Sequence, residues 1–346
     1  MKRILVVLPN WFGETLFATP FLRALRAAHP EAFIATLGVS RCDEVLAHNP
    51  HVDRHILYDE RGRHRGLWAK WTLETSLRAM RFDAAFILRR SISRTLLLFF
   101  AGIPTRIGFD NPKSGWLLTR RVPPPAAATH KARTYLALLD SPDASAHRRA
   151  QNDGVCDYYP SEEERAQARA LLRRHGWTEG RPLIALHPGA NWFHKRWPAG
   201  RFAELADRLA RHHPCAILVT GGPDDQPLIR AMTAAMATPP IVLAGQTTLR
   251  QLAACLERAA LVVSNDTGVT HIACALRRPV VALYGPTSPA LTGPLGDSSR
   301  TVVIHHPACC PAIPCYQPDH PGSPGMASIG VEEVFEAAVN LLRAAA

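Results

Sequence analysis

Several segments of the 346-residue chain combine residue types that can hold an anion or move a proton. In one, Leu261-Val262-Val263 runs into Ser264-Asn265-Asp266-Thr267-Gly268-Val269-Thr270-His271, and an alanine-rich helical pattern, Ile272 to Leu276, follows at once. A strand, a tight turn and a helix start aim free backbone N–H groups and a positive dipole end at one point, which suits a phosphate. Asp266, Thr267 and His271 add side chains that suit phosphate or sugar hydroxyls. The same residues also fit a plain helix start, with Asp266 or Thr267 as its cap and His271 as a satisfied first-turn histidine.

In the second segment, His187-Pro188-Gly189-Ala190-Asn191-Trp192-Phe193-His194-Lys195-Arg196-Trp197-Pro198, a lysine sits among aromatics ahead of a helix. Lys195 is a point charge suited to a phosphate oxygen, or else an ordinary surface lysine. A third, Thr220-Gly221-Gly222-Pro223-Asp224-Asp225, lets a nucleoside approach the backbone with an aspartate on its ribose; a turn plus cap explains it equally. The fourth, Pro9-Asn10-Trp11-Phe12-Gly13-Glu14-Thr15, has one glycine, which excludes the dinucleotide fingerprint. It presents the Glu14 carboxylate at a helix start, where dipole stabilisation alone accounts for it.

Each of these segments follows a predicted strand. In the first half strands fit Ile4–Leu8, Phe33–Leu37, His55–Tyr58 and Ala84–Leu88, with helices at Leu16–Ala28, near Asp43–His48, Lys70–Met80 and Ser93–Phe100. Residues 141–160 lose periodicity and read as a linker, after which Ser161-Glu162-Glu163-Glu164 opens a helix to about His175. The second half alternates again. Strands fit Leu183–Leu186, Ala216–Thr220, Ile241–Leu243, Leu261–Val263 and Val280–Tyr284. Helices fit Arg201–Arg211, Gln226–Met236, Leu249–Arg258, the stretch after His271, and Val331–Ala345. The pattern predicts an α/β fold of two wound parallel sheets, divided as 1–150 and 151–330 with a closing helix over 331–346. Ligands of such sheets bind in loops at the carboxyl ends of the strands, where the unusual residues fall.

Composition narrows the class. No apolar run is long enough to span a bilayer, and the run after Lys2-Arg3 stops at Pro9, as a buried first strand does. The eight cysteines are scattered and read as free thiols. Residues 1–150 hold 23 Lys and Arg against 12 Asp and Glu, whereas residues 151–346 hold 17 of each, so the net charge of +11 lies entirely in the first half. That surface favours an anionic partner: a phosphorylated or carboxylated substrate, nucleic acid, or an anionic membrane. Arginines on solvated faces account equally for many of these positions. His305, His306, Cys309, Cys310, Cys315 and His320 lack paired Cys-x-x-Cys spacing, so no metal is expected there.

Taken together, His187-Pro188-Gly189-Ala190 with Lys195-Arg196-Trp197-Pro198, Gly221-Gly222-Pro223 and Ser264-Asn265-Asp266-Thr267-Gly268 with His271 resemble the ADP-heptose:lipopolysaccharide heptosyltransferases, glycosyltransferase family 9. Ile4-Leu5-Val6-Val7 with Trp11-Phe12-Gly13, and Phe99-Phe100-Ala101-Gly102-Ile103-Pro104 with Arg106-Ile107-Gly108, are similar too, most of all to the heptosyltransferase II branch. The resemblance implies a GT-B architecture, two Rossmann-like domains facing across a cleft, and a metal-independent inverting transferase without cofactor. It implies ADP-heptose as donor, bound by Asn191, Lys195, Asp224, Asp266, Thr267, Gly268 and His271, with Lys195 also assisting catalysis. The acceptor is then the lipid A–Kdo core at the inner membrane surface, met by Trp11, Gly13, Arg63, Arg90, Arg106 and Lys113. Glu14 stands where the family usually has aspartate as general base. The resemblance further implies a cytoplasmic enzyme, with peripheral membrane association allowed and no nucleic-acid partner. Its rivals are another donor or acceptor within the family, a GT-B-like epimerase, and a basic nucleic-acid- or membrane-binding protein without catalysis.

Overall fold

The computed structural model describes residues 1–60, 62–139, 154–307 and 325–345. It falls into two compact units, Met1–Tyr159 and Pro160–Ala346. Most of the expected linker, together with Arg61, Cys309, Cys310, Cys315 and His320, lies outside the described residues. The end of that linker belongs to the first unit, so the division comes later than position 150. There Asp157 N–H donates to Thr19 Oγ1 at 2.8 Å, and the Asp157 carboxylate pairs with Arg23. The helix Val331–Ala345 is likewise no separate piece, because Val334, Ala338, Val339 and Leu341 join the core of the second unit.

The first unit holds β1 (Arg3–Val7), β2 (Phe33–Gly38), β3 (Arg54–Leu57), β4 (Ala84–Ile87), β5 (Thr105–Phe109) and β6 (Arg120–Val122). They lie in the order β3-β2-β1-β4-β5-β6, every neighbouring pair parallel. Ile4, Leu5, Val6 and Val7 are fully buried, as a continuous apolar run in a doubly covered sheet requires. The chain winds outward in both directions from β1 and β4, so the crevice between their carboxyl ends is the switch point where ligands bind.

The first helix is broken where sequence periodicity predicts continuity. It starts early, at Phe12–Phe17, and restarts as Thr19–Ala28. Pro20 has no N–H for the Leu16 carbonyl, and Thr19 Oγ1 supplies the missing hydrogen bond at 2.8 Å.

The second unit repeats the winding with β7 (Leu183–His187), β8 (Ala216–Val219), β9 (Ile241–Val242), β10 (Leu261–Asn265), β11 (Val280–Tyr284) and β12 (Thr301–His305). Their order is β12-β11-β10-β7-β8-β9, so this switch point lies between β7 and β10. Ser264 is level with His187 in the register, which brings the loops leaving both strands side by side. The acid cluster caps its helix, Glu162–Arg174, as a capping box: Glu164 N–H donates to Ser161 Oγ, and Ser161 N–H to Glu164 Oε2. Glu164 also accepts two 2.6 Å bonds from Arg250, tying that helix to Leu249–Leu256.

Sequence periodicity does not reveal β5, β6 or β12. Thr105-Arg106-Ile107-Gly108-Phe109 and Arg120-Arg121-Val122 interrupt the apolar pattern with arginine and glycine, and β6 and β12 are edge strands only partly buried. Among the described residues no helix is long and apolar enough to cross a membrane.

Candidate active site

In the second unit, Asn265 at the end of β10 organises the switch point. Its Nδ2 donates to Pro188 O at 2.8 Å and its Oδ1 accepts the Trp197 N–H at 3.1 Å, so one buried amide clamps both ends of the loop after β7. Trp197 is fully buried against Phe202 and donates Nε1–H to Ile329 O at 3.0 Å. Held at both ends, the loop turns Lys195 toward β10. Its Nζ reaches Asp266 Oδ2 at 2.6 Å, and the same oxygen accepts the Thr287 hydroxyl at 2.6 Å. Burial, with the Asp266 carboxylate beside it, pushes the Tyr284 hydroxyl well above the ordinary tyrosine range.

Thr267 is the cap of the helix Gly268–Ala275, its Oγ1 accepting from Val269 N–H at 3.3 Å. Asp266 is therefore free of the capping role and sits with Lys195 beside the helix start. Gly268 opens the helix, and His271 is buried in its first turn.

A second knot joins the neighbouring loops. Asp225 accepts the Gly222 N–H at 3.0 Å and pairs with Arg196 at 3.3 Å, while Arg196 Nε donates to Ala190 O at 2.9 Å. A Cβ on Gly189 would come within 2.6 Å of Asp225 Cγ, so that position admits only glycine without displacement. Behind it, His187 Nδ1 and Thr220 Oγ1 are 2.9 Å apart. Burial pushes the His187 pKa down to about 4, against a smaller opposing pull from Asp225. Of the two adjacent aspartates, Asp225 is the one built into these loops, whereas Asp224 and Asn191 are exposed.

In the first unit Glu14 lies in the first turn of Phe12–Phe17, about a third exposed, 3.3 Å from Lys131 Nζ. Trp11 precedes that helix, 66% exposed, with the Arg41 guanidinium 5.5 Å from its ring centre. A Cβ on Gly13 would meet open space, so packing within the fold does not explain this glycine. The loop is fixed from beneath by Arg94, which donates to Leu8 O at 2.8 Å and to Asn10 Oδ1.

Arg94 corrects the reading of a basic surface, because it is wholly buried, over the Tyr58 ring at 5.3 Å, and its Nε has no hydrogen-bond partner among the described residues. Arg106 is also built into the fold. Its Nε and Nη1 donate to Leu117 O and Ile103 O, and its guanidinium covers the Phe99 ring. Arg63, Arg90 and Lys113 are exposed. Thr287, Asn265 and Arg94 bear on the candidate site without having been assigned a role there from sequence, whereas Asp225 is one of the two aspartates that the sequence offers for a ribose. For Thr287 a signal existed, since it lies in the loop directly after β11. Among the described residues no three His, Cys, Asp or Glu side chains converge as a metal site.

Two successive parallel sheets of this winding, the second carrying a lysine–aspartate pair beside a helix start at its switch point, have the layout of the GT-B glycosyltransferases. Residues 70–316 match the model of glycosyltransferase family 9 (heptosyltransferase), and the chain belongs to that family. It is similar to lipopolysaccharide heptosyltransferase 2 of Escherichia coli K12, with 32% identity over 310 residues covering 87% of each chain. A solved family 9 glycosyltransferase from Veillonella parvula is 28% identical and superposes with a TM-score of 0.86, covering 99% of this chain and 97% of its own. The solved ADP-heptose heptosyltransferase II of E. coli is 28% identical with a TM-score of 0.78, covering 99% of both chains.

Proposed function

We propose that the chain transfers heptose from ADP-heptose to the inner core of lipopolysaccharide, adding the second heptose to heptosyl-Kdo-lipid A. The Lys195–Asp266 pair carries this reading: a cation for a diphosphate and a carboxylate for sugar hydroxyls, held at one switch point in a chain of this family.

The reaction is a single displacement that inverts the anomeric centre. Glu14 takes the proton of the acceptor hydroxyl as that oxygen attacks the anomeric carbon, and the bond to the diphosphate breaks on the opposite side. Lys195 and the backbone N–H groups at Thr267-Gly268 neutralise the charge that grows on the departing ADP, with no cofactor required. Asp266 holds heptose hydroxyls, His271 contacts phosphate or sugar, and Asn191 and Asp224 meet the nucleotide. Glu14 is a weak base, so orientation of the two substrates supplies much of the acceleration.

On the acceptor side Trp11 and Gly13 border the base. Exposed Arg63, Arg90 and Lys113 meet the Kdo carboxylates and lipid A phosphates. A lipid-linked acceptor places the enzyme at the cytoplasmic face of the inner membrane, peripherally bound.

The test offers ADP-heptose with Kdo-lipid A or its mono-heptosylated form. Product on the mono-heptosylated acceptor alone is expected. Product only on the other would move the enzyme to the first transfer, and no product on either would refute the reading.

A further inference from the structure

The loop after β3 turns its acids inward and its bases outward. Asp59 accepts the backbone N–H groups of Gly62 and Arg63 at 2.9 and 3.2 Å, and Glu60 accepts the Ser93 hydroxyl at 2.8 Å. His64 plugs the loop into the fold: it is buried, tilted against the Tyr58 ring, and its Nδ1 accepts the Asp59 N–H at 3.0 Å. Arg63 and Arg65 are left exposed.

The helix Leu67–Ala79 follows and buries Leu73 and Leu77. At 3.6 residues per turn, Trp68 and Trp71 lie roughly 140–160° around the helix from that stripe. They are 76% and 55% exposed, with ring centroids 5.1 Å apart. The fold therefore does not use these two large side chains as core, although adjacent apolar surface of this size ordinarily marks an interaction site. The Glu60–Ser93 bond also draws this loop toward the one after β4, which carries exposed Arg90 and leads to exposed Ile92. Both loops leave the carboxyl edge of the first sheet, the same edge as the Glu14 loop.

We propose that the face formed by Trp68 and Trp71 with Arg63, Arg65 and Arg90 docks on an anionic lipid bilayer. Indole rings settle at the boundary between headgroups and acyl chains, where an apolar ring with one N–H donor suits both sides. Clustered guanidinium groups add attraction to anionic headgroups, and stable peripheral binding takes two such signals together. The concentration of the whole net charge of +11 in residues 1–150 supplies the charge complementarity that selects this partner. Docking by this face sets the edge bearing Glu14 against the surface from which a lipid-anchored sugar acceptor projects. That purpose rests on the lipid-linked acceptor; the binding itself does not.

The full chain is sedimented with phosphatidylcholine vesicles and with phosphatidylcholine–phosphatidylglycerol vesicles, without sugar nucleotide, so the outcome is independent of the transfer assay. Binding is expected on the anionic vesicles and not on the neutral ones. The double variant Trp68→Ala/Trp71→Ala and the double variant Arg63→Glu/Arg65→Glu should each weaken it about tenfold. The tryptophan variant should unfold at the wild-type temperature and process a deacylated, soluble acceptor at the wild-type rate. Failure of the unmodified chain to bind anionic vesicles, or undiminished binding by the tryptophan variant, overturns the proposal. Self-association that the tryptophan variant abolishes, without vesicle binding, also overturns it and gives the face to a second copy.

Discussion

Lys195 Nζ lies 2.6 Å from Asp266 Oδ2, joining the loop after β7 to the loop after β10 across the switch point of the second sheet. On the proposed function, a donor diphosphate competes with Asp266 for that ammonium. The two partners therefore predict opposite effects on ADP alone. Lys195→Ala removes a charge-assisted contact and should weaken ADP binding by about tenfold or more while lowering kcat. Asp266→Asn releases Lys195 to the phosphates and should tighten ADP severalfold, yet slow heptose transfer because the sugar hydroxyls lose their acceptor. Calorimetric titration with ADP measures both. Shifts of the same sign in the two variants would refute the competition.

Glu14 belongs to the first unit and the Lys195–Asp266 pair to the second. Glu14→Ala should lower kcat by about 10²–10⁴ while ADP binds as before. Lys131→Ala, which removes only a partly exposed ion pair at 3.3 Å, should change kcat far less. Single-turnover assays beside ADP titrations separate the two effects, and a normally active Glu14→Ala enzyme would remove Glu14 as the base.

Gly189 is glycine because the Asp225 carboxylate occupies the space of a side chain, and that carboxylate is held by Gly222 N–H and Arg196. Gly189→Ala should cost about 1–3 kcal/mol in stability through overpacking. A Gly189→Ala melting temperature equal to that of the wild type would show that the loops give way without cost.

His187 supplies a pH dependence. Burial holds its pKa at about 4, below the ordinary histidine value of 6.5, so the native protein resists the proton that the unfolded chain accepts. Its contribution is fully present above pH 6.5 and is lost as pH falls from there toward 4. The loss is on the order of 3 kcal/mol over that window. His187→Gln, which keeps a polar group toward Thr220, should flatten this part of the acid limb in denaturant titrations from pH 7 to pH 4. An unchanged slope would assign the acid sensitivity elsewhere.

How far the sequence alone could be read differs from element to element. The strand Val280–Tyr284 and the helix Val331–Ala345 coincide with their predicted ranges, because each is set by a strong apolar period and a nearby glycine or proline. β5 and β6 escape because arginines stand inside short strands; Arg106 enters its strand by spending its N–H groups on carbonyls elsewhere. The broken first helix escapes as well, since Pro20 looks like an ordinary early-helix proline until the Thr19–Leu16 bond is seen. Within the site, Lys195, Asp266 and Thr267 are legible as a loop and a helix start. Asp225 and Asp224 are chemically alike in sequence, and only the contacts of Asp225 with Gly222, Arg196 and Gly189 separate them.

By itself the sequence determined what depends on near neighbours along the chain: the alternation of strands and helices, the Ser161–Glu164 capping box, and the uneven charge. Backbone geometry over a few residues decides such features. The tertiary structure decided which loops meet and which cations are surface. Lys195 and Asp266 are 71 positions apart and become partners because β7 and β10 are adjacent in register at the point where the winding reverses. Arg94, one of a basic series in sequence, is buried under the Glu14 loop because the Leu8 carbonyl and the Asn10 side chain accept its N–H groups there. Burial and long-range hydrogen bonding belong to the arrangement of the sheets, and no residue type specifies them alone.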